Sequence, residues 1–140
     1  MSWLIRIIKS YFSLPVWVII WISIFLVPAN FAGFLFLETT SGFWIALLGA
    51  GAIILNLGFV WLNGGFSKVL CIPHVIFWTP LVAFLGYRLF STEMGEPEYW
   101  LTLVAFLVNG ISLFFDFYDL KQWRNGHRQV AGYETEPVRF

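Results

Sequence analysis

The sequence has few charged residues and a single cysteine. Only 11% of its 140 residues are Asp, Glu, Lys or Arg, and their formal charges sum to zero. Soluble domains carry about 25% charged residues, so a water-exposed globule is not expected. A net charge of zero also argues against a nucleic-acid partner, because phosphates attract basic surfaces. Since Cys71 is the only cysteine, no disulfide can form within the chain.

The sequence motifs of common enzyme classes are also missing. The chain has no GxSxG, HExxH, P-loop or GxGxxG motif, so no activated nucleophile, zinc-protease helix or phosphate-binding loop is predicted. The sequence Asn63-Gly64-Gly65 is typical of a turn between helices. We therefore expect a protein that is not an enzyme and that uses no cofactor.

Most of the sequence consists of long uncharged runs that are rich in apolar residues. Lys9 and Glu38 enclose 28 residues without formal charge, and three later runs contain 29, 19 and 17. A helix needs about 20 mostly apolar residues to cross the hydrocarbon layer of a bilayer. The runs predict a transmembrane domain over 14–123, with four helices near 14–37, 43–63, 68–90 and 98–120.

Short connections between these helices determine the expected fold. They leave no room for a soluble domain, and they force helices that are neighbours in sequence to run antiparallel. We therefore predict an all-α integral membrane protein, an antiparallel up-down-up-down bundle of four transmembrane helices in a lipid bilayer.

The two ends of the chain differ in composition from this domain. Residues 1–13 place Arg6 and Lys9 on a polar helical face, which predicts an interfacial amphipathic segment in the headgroup layer. A basic start to the first span itself is an equally good reading. Residues 124–140 are polar and contain glycine and proline, so we expect a flexible cytoplasmic tail.

The positions of Lys and Arg predict the orientation in the membrane. Seven of the eight lie before the first span, between the second and third, or after the fourth. Only Arg88 falls on the opposite side. Because positive residues gather on the cytoplasmic side, we expect a plasma- or inner-membrane protein with both termini in the cytoplasm.

A polar stripe runs along the fourth predicted helix. Its polar or small members recur at steps of three or four residues: Glu98, Thr102, Ala105, Asn109, Ser112, Asp116 and Asp119. A spacing of about 3.5 residues is typical of the seam along which helices pack. Because a carboxylate facing lipid is unfavourable, we expect Asp116 and Asp119 to face protein or water.

Two other predicted helices carry residues that could face this stripe. The second contains Asn56 and Asn63, and the third contains His74. The helical rise places all three at the depth of Asp116, near the cytoplasmic side. The second helix also has small residues at which helix backbones can approach closely: Gly42, Ala46, Gly49 and Ala50.

Ion transport is the first function that fits this pattern. Ionisable residues inside a membrane often mark proton or ion pathways. One bundle of this size is too thin to enclose a hydrated pore, so a channel-like or carrier-like protein would work as a homo-oligomer with its pore between protomers. Thr102, Asn109 and Asp116 would line that pore. His74 and Asp119 would lie at its cytoplasmic mouth.

Two alternatives remain open. A structural or accessory subunit would use the stripe only to pack its own bundle or a partner membrane subunit, and Asn56 and Asn109 would then make interhelical hydrogen bonds. In that case Asp119 would make interfacial ion pairs near Lys121 and Arg124. The third hypothesis is a membrane metal-binding protein, in which zinc or another divalent ion is held by Cys71, His74, Asp116 and Asp119.

Overall fold

The computed structural model describes residues 2–138, of which 79% are helical and none is in a strand. Met1, Arg139 and Phe140, which belong to the two predicted flanking segments, lie outside the described residues. A short helix, α1 (Trp3–Phe12), precedes four helices that are long and apolar enough to cross a membrane. These are α2 (Val16–Phe36), α3 (Thr40–Asn63), α4 (Lys68–Ser91) and α5 (Glu96–Arg124). The prediction of an all-helical fold with four such helices is confirmed.

Local sequence signals set where several helices begin and end. Thr39 caps α3, because its side-chain oxygen accepts a hydrogen bond from the backbone N–H of Gly42. Gly64 ends α3 with φ of 70°, a left-handed conformation that glycine adopts without a steric penalty. Helix α5 has acidic residues in its first turn and basic residues in its last, an arrangement that complements the helix dipole.

Helices α2 and α3 each contain a wider, π-helical segment. In α2 this segment, Trp21–Leu26, comes immediately before a turn that contains Pro28. A proline ring crowds the carbonyl four residues earlier and offers no N–H, and the wider turn relieves that crowding. In α3 the segment Ile45–Ala50 contains three of its small residues, Ala46, Gly49 and Ala50.

Small residues allow α2 and α3 to approach each other closely. A Cβ atom added at Gly42 would collide with the backbone at the end of α2, and one added at Gly49 would collide with Oδ1 of Asn30. Ala46 and Ala50, on the same face of α3, are buried. Close backbone approach of this kind stabilises helix pairs in membranes through van der Waals contact.

Helices α4 and α5 run antiparallel and meet at both ends. Arg88 contacts Glu98 at one end, and Lys68 contacts Asp119 at the other. We refer to these as the Glu98 end and the Lys68 end of the bundle. Between them α4 supplies much of the apolar core, including Trp78, which has no exposed surface.

The N-terminal helix, the loop between α3 and α4, and the tail pack together at the Lys68 end. Phe66 N donates a hydrogen bond of 2.9 Å to Ser10 Oγ, and Ala131 N donates one of 2.8 Å to Phe66 O. Arg6 Nη1 lies 2.6 Å from Glu136 Oε2. The tail therefore contacts both α1 and the loop between α3 and α4, and its flexibility stays a prediction.

Helix α1 turns its polar side chains toward these contacts and its apolar ones away from them. Leu4, Ile5, Ile8 and Phe12 are all exposed. Ser10, in contrast, is completely buried. The amphipathic pattern of the first residues thus leaves one continuous apolar face of α1 uncovered by the rest of the chain.

Candidate functional site

The polar stripe of α5 faces the interior of its own bundle. Thr102, Ala105 and Asn109 have no exposed surface, and the side chains of Asp116 and Asp119 are 14% and 38% exposed. We call this row of seven residues the polar spine, and its members are Glu98, Thr102, Ala105, Asn109, Ser112, Asp116 and Asp119. Its position is set by the 3.5-residue repeat, which keeps the row facing neighbouring helices along the whole length of α5.

At the Glu98 end the spine begins with a charged cluster. Arg88 Nη2 donates a hydrogen bond of 2.7 Å to Glu98 Oε1, and Arg88 Nε donates one of 3.0 Å to Ser41 Oγ. The backbone N–H of Ser41 also donates to Glu98 Oε1, at 3.1 Å. One turn further along, the Thr102 hydroxyl donates to Glu98 O at 2.7 Å. The cluster joins α3, α4 and α5.

The middle of the spine is closed by a pair of amides. Asn30 and Asn109 donate to each other, each from Nδ2 to the partner's Oδ1 at 2.9 Å, and both are completely buried. Asn30 Nδ2 also donates to Leu26 O at 2.9 Å. Nearby, the indole N–H of Trp21 donates to Ser112 Oγ at 2.9 Å. These contacts connect α2 to α5.

Near the Lys68 end, an imidazole lies between an amide and a carboxylate. His74 Nε2 lies 2.7 Å from Asn56 Nδ2, and His74 Nδ1 lies 3.3 Å from Asp116 Oδ1. The amide nitrogen of Asn56 also donates to Leu70 O at 2.9 Å. The ring of Trp78 is stacked on the imidazole, with centroids 3.7 Å apart and planes inclined by 8°. We call Asn56, His74 and Asp116 the histidine cluster.

The last residue of the spine makes a more exposed ion pair. Lys68 Nζ donates to Asp119 Oδ1 at 2.5 Å. Both side chains are more than one third exposed, so solvent screens the pair. The partner is Lys68 of α4 and not, as the sequence suggested, Lys121 or Arg124 of the same helix.

Of two further residues that the sequence placed with this group, Asn63 lies apart, whereas Cys71 lies within range of the charges of Asp116 and Asp119. Asn63 is buried at the end of α3, where its Nδ2 donates to Ser67 Oγ at 3.3 Å. Cys71 is buried with a free thiol. Within residues 2–138, no three His, Cys, Asp or Glu side chains lie close enough together to hold a metal ion. The arrangement offers no support for a site formed by Cys71, His74, Asp116 and Asp119, because the carboxylates of Asp116 and Asp119 face His74 and Lys68 respectively.

Sequence reasoning missed several partners of the spine. Ser41 and Trp21 did not stand out, because a serine near a helix end and a tryptophan in an apolar run are typical of caps and of lipid-facing positions. Each is recognisable only through its hydrogen bond to α4 or α5. A comparison of the chain with protein-family models, curated proteins and solved structures finds no significant match.

Proposed function

We propose that this protein is a structural or accessory subunit of a membrane complex, with no enzymatic or transport activity of its own. One observation carries the proposal: the polar side chains of the spine find their partners within a single chain. All six of its polar members make at least one hydrogen bond or ion pair with other residues of the bundle. A spine of this kind fixes how the four helices pack.

The centre of the spine opposes conduction. Because Asn30 and Asn109 have no exposed surface, no water-sized space adjoins them. The amide nitrogen of each residue donates to the amide oxygen of the other. A proton relay needs groups that accept one proton while releasing another, and a carboxamide, whose nitrogen donates and whose oxygen accepts, is poorly suited to that role.

A pore between protomers would need other lining residues. Side chains at a symmetry axis must lie on the outer surface of each protomer, whereas Thr102 and Asn109 lie inside it. Between Val104 and Phe117 the exposed positions of α5 are apolar and include Leu107, Ile111 and Phe114. A homo-oligomer, or a complex with a partner membrane subunit, would therefore form through apolar surfaces, which pack against helices as readily as against lipid.

The orientation follows from the charge distribution at the two ends of the bundle. The Lys68 end holds α1 and the tail, whose Arg6 and Glu136 are in contact. Most Lys and Arg residues belong to these segments, while Arg88 lies at the Glu98 end. By the positive-inside rule we assign the Lys68 end to the cytoplasm, and the protein to a plasma or inner membrane.

Movement of protons or small ions is the second candidate function. The observation that favours it is the contact between His74 and Asp116, a pair of mostly buried ionisable groups within the membrane-spanning helices. Transport along the spine would require the Asn30–Asn109 pair to open during each cycle. The protein would then have to be a carrier with two states and not a continuous pore.

A liposome experiment distinguishes the two functions. Purified protein is reconstituted with a pH-sensitive dye, and proton, Na⁺ and K⁺ gradients are imposed in turn. If the protein is an accessory subunit, vesicles that contain the native chain or Asp116→Asn should show the same flux as protein-free vesicles. A flux that the native chain supports and Asp116→Asn abolishes, while the control variant Glu93→Gln outside the spine retains it, would replace the accessory role with the transport role.

A further inference from the structure

The position of the Asn56 amide nitrogen indicates which nitrogen of His74 carries the proton. Its Nδ2 lies within hydrogen-bond distance of two acceptors, Leu70 O at 2.9 Å and His74 Nε2 at 2.7 Å. The two hydrogens of an amide nitrogen satisfy both, whereas an oxygen in that position would face the Leu70 carbonyl oxygen. Nε2 must therefore accept, and the proton of a neutral imidazole must lie on Nδ1.

The surroundings of the other ring nitrogen, Nδ1, are consistent with this assignment. Nδ1 lies 3.3 Å from Asp116 Oδ1, where an N–H can donate to the carboxylate. The stacked ring of Trp78 holds the imidazole in this plane. A neutral His74 with its proton on Nδ1 thus satisfies both of its nitrogens.

Two oxygen atoms of the histidine cluster have no donor. Asn56 Oδ1 and Asp116 Oδ2 are buried and make no hydrogen bond among the described residues. Asn56 as a whole is only 7% exposed. Buried acceptors without donors are rare, and each calls for a specific explanation. The oxygen of Asn56 is adjacent to the nitrogen that faces His74, so a half-turn of the amide would bring it to that position.

We propose that Asn56, His74 and Asp116 form a proton-binding switch, in which a proton taken up at His74 Nε2 turns the Asn56 amide by half a turn. The proton comes from water and binds the lone pair of Nε2. The new N–H donates to Asn56 Oδ1, and the imidazolium forms an ion pair with Asp116. The charge of the cluster changes from −1 to zero. The turned amide places Asn56 Oδ1 opposite Leu70 O, and the charge-assisted hydrogen bond from the imidazolium must offset the cost of that contact. Leu70 is the N-cap residue of the regular helix that begins at Cys71, so its carbonyl keeps the first intrahelical bond.

The surroundings of the ring make Asp116 its dominant charged neighbour. Helices α2 and α3 contain no Asp, Glu, Lys, Arg, His, Cys or Tyr. Helix α4 contributes Lys68 and Cys71, and α5 contributes Asp119 beside Asp116. Lys68 and Asp119 are paired with each other, and Cys71 is a buried thiol. Among residues 2–138, no other cation competes with the imidazolium for Asp116.

The histidine cluster lies on the Lys68 side of the Asn30–Asn109 pair. The side chains of His74 and Asp116 keep 12% and 14% of their surface, whereas Asn30 and Asn109, toward the Glu98 end, keep none. We expect a proton to reach the cluster from the Lys68 end, because the buried amide pair lies between the cluster and the Glu98 end. The cluster would sense the pH on that side without passing the proton across, and this role does not depend on the accessory function proposed above.

Histidine NMR tests this proposal directly, because the chain has only two histidines. In full-length protein in nanodiscs, labelled with ¹⁵N-histidine and ¹⁵N-asparagine, His127 of the exposed tail serves as the internal reference. We expect neutral His74 to be in the Nδ1–H form. On acidification both ring nitrogens should become protonated, and the side-chain amide signal of Asn56 should shift with the same midpoint while that of Asn63 does not. A neutral His74 protonated on Nε2, or an Asn56 amide that does not respond, would overturn the proposal.

A nearly isosteric variant gives a second readout. Asn56→Asp replaces the amide donor by a carboxylate oxygen, so His74 should lose its unprotonated Nε2 signal at neutral pH and show an N–H at that nitrogen. Asn63→Asp, seven residues along the same helix, is the matched control and should leave both His74 signals unchanged. An unchanged Nε2 signal in folded Asn56→Asp would show that the amide does not set the protonation of the ring.

Discussion

Asn30 and Asn109 hold each other through two reciprocal hydrogen bonds of 2.9 Å at the centre of the bundle. The pair joins the first and the last of the four long helices, α2 and α5, and neither residue has any exposed surface. On either side of it the spine continues in hydrogen-bonded clusters that reach the two ends of the bundle. A polar row therefore runs along the interior of the bundle from end to end, and a buried amide pair lies at its middle.

Breaking this pair should destabilise the bundle. Asn109→Leu leaves the amide of Asn30 buried without its partner, and we expect a loss of about 1–3 kcal/mol in the free energy of unfolding. The double replacement with Asn30→Leu should recover part of the loss, because no polar group is then left unpaired. SDS titration of the detergent-purified protein measures both. Asn125→Leu, at an exposed position, should change stability little. A double variant as unstable as the sum of the singles would contradict the expectation.

Two glycines of α3 provide a matched test of helix packing. A Cβ at Gly49 would collide with Asn30 Oδ1, whereas one at Gly51 meets no atom within 4 Å. Gly49→Ala should therefore destabilise the bundle by about 1–3 kcal/mol through overpacking. Gly51→Ala should be neutral or slightly stabilising, since alanine favours helix. Thermal unfolding of the two variants in the same detergent makes the comparison, and equal midpoints would count against close packing at Gly49.

The two ion pairs between α4 and α5 should differ in their contribution to stability. The side chains of Arg88 and Glu98 are 14% and 15% exposed, so Arg88→Gln leaves a shielded carboxylate without its cation. We expect a loss of about 2–4 kcal/mol, toward the range found for broken buried pairs. Lys68→Gln, in the exposed pair, should cost less than about 1 kcal/mol. Unfolding curves at low and high salt should show salt dependence mainly for the Lys68 pair.

The contact between Arg6 and Glu136 should control access to the tail. Arg6 also stacks on Tyr133, with its guanidinium carbon 4.0 Å from the ring centroid. Arg6→Gln removes both interactions, so we expect faster hydrogen exchange at the amide of Ala131 and faster proteolysis of the tail. Glu136→Gln should have a smaller effect, because the stacking remains. Glu93→Gln, outside this contact, is the control, and unchanged exchange in Arg6→Gln would show that other contacts hold the tail.

The positions of the four long helices could be predicted because uncharged runs mark them directly. The inward orientation of the spine could also be expected, since only one face of α5 repeats polar or small residues every 3.5 positions. Its partners could not be predicted in the same way. Helices α2 and α3 are apolar on nearly all faces, so periodicity does not show that Trp21 meets Ser112 or that Asn30 meets Asn109.

Residue composition does not show two further features of the structure, the contacts of the tail and the partners of His74. The tail is polar, yet two of its residues contact segments more than 60 residues away in sequence. The backbone N–H of Ala131 donates to Phe66 O, and Glu136 forms an ion pair with Arg6. The sequence also suggested Cys71, His74, Asp116 and Asp119 as shared ligands for a metal ion. In the folded chain the two ring nitrogens of His74 instead face Asn56 and Asp116. A pattern of residue types along one helix does not reveal these partners.

Proton flux in liposomes is the most direct test of the claim that the polar spine is closed. The native protein is reconstituted at known density, a pH gradient is imposed, and the internal pH is followed with a trapped dye, beside protein-free vesicles and an ionophore control. We expect the gradient to decay at the rate of protein-free vesicles for the native chain. A faster decay that depends on the amount of protein and is lost in Asp116→Asn would contradict a closed spine.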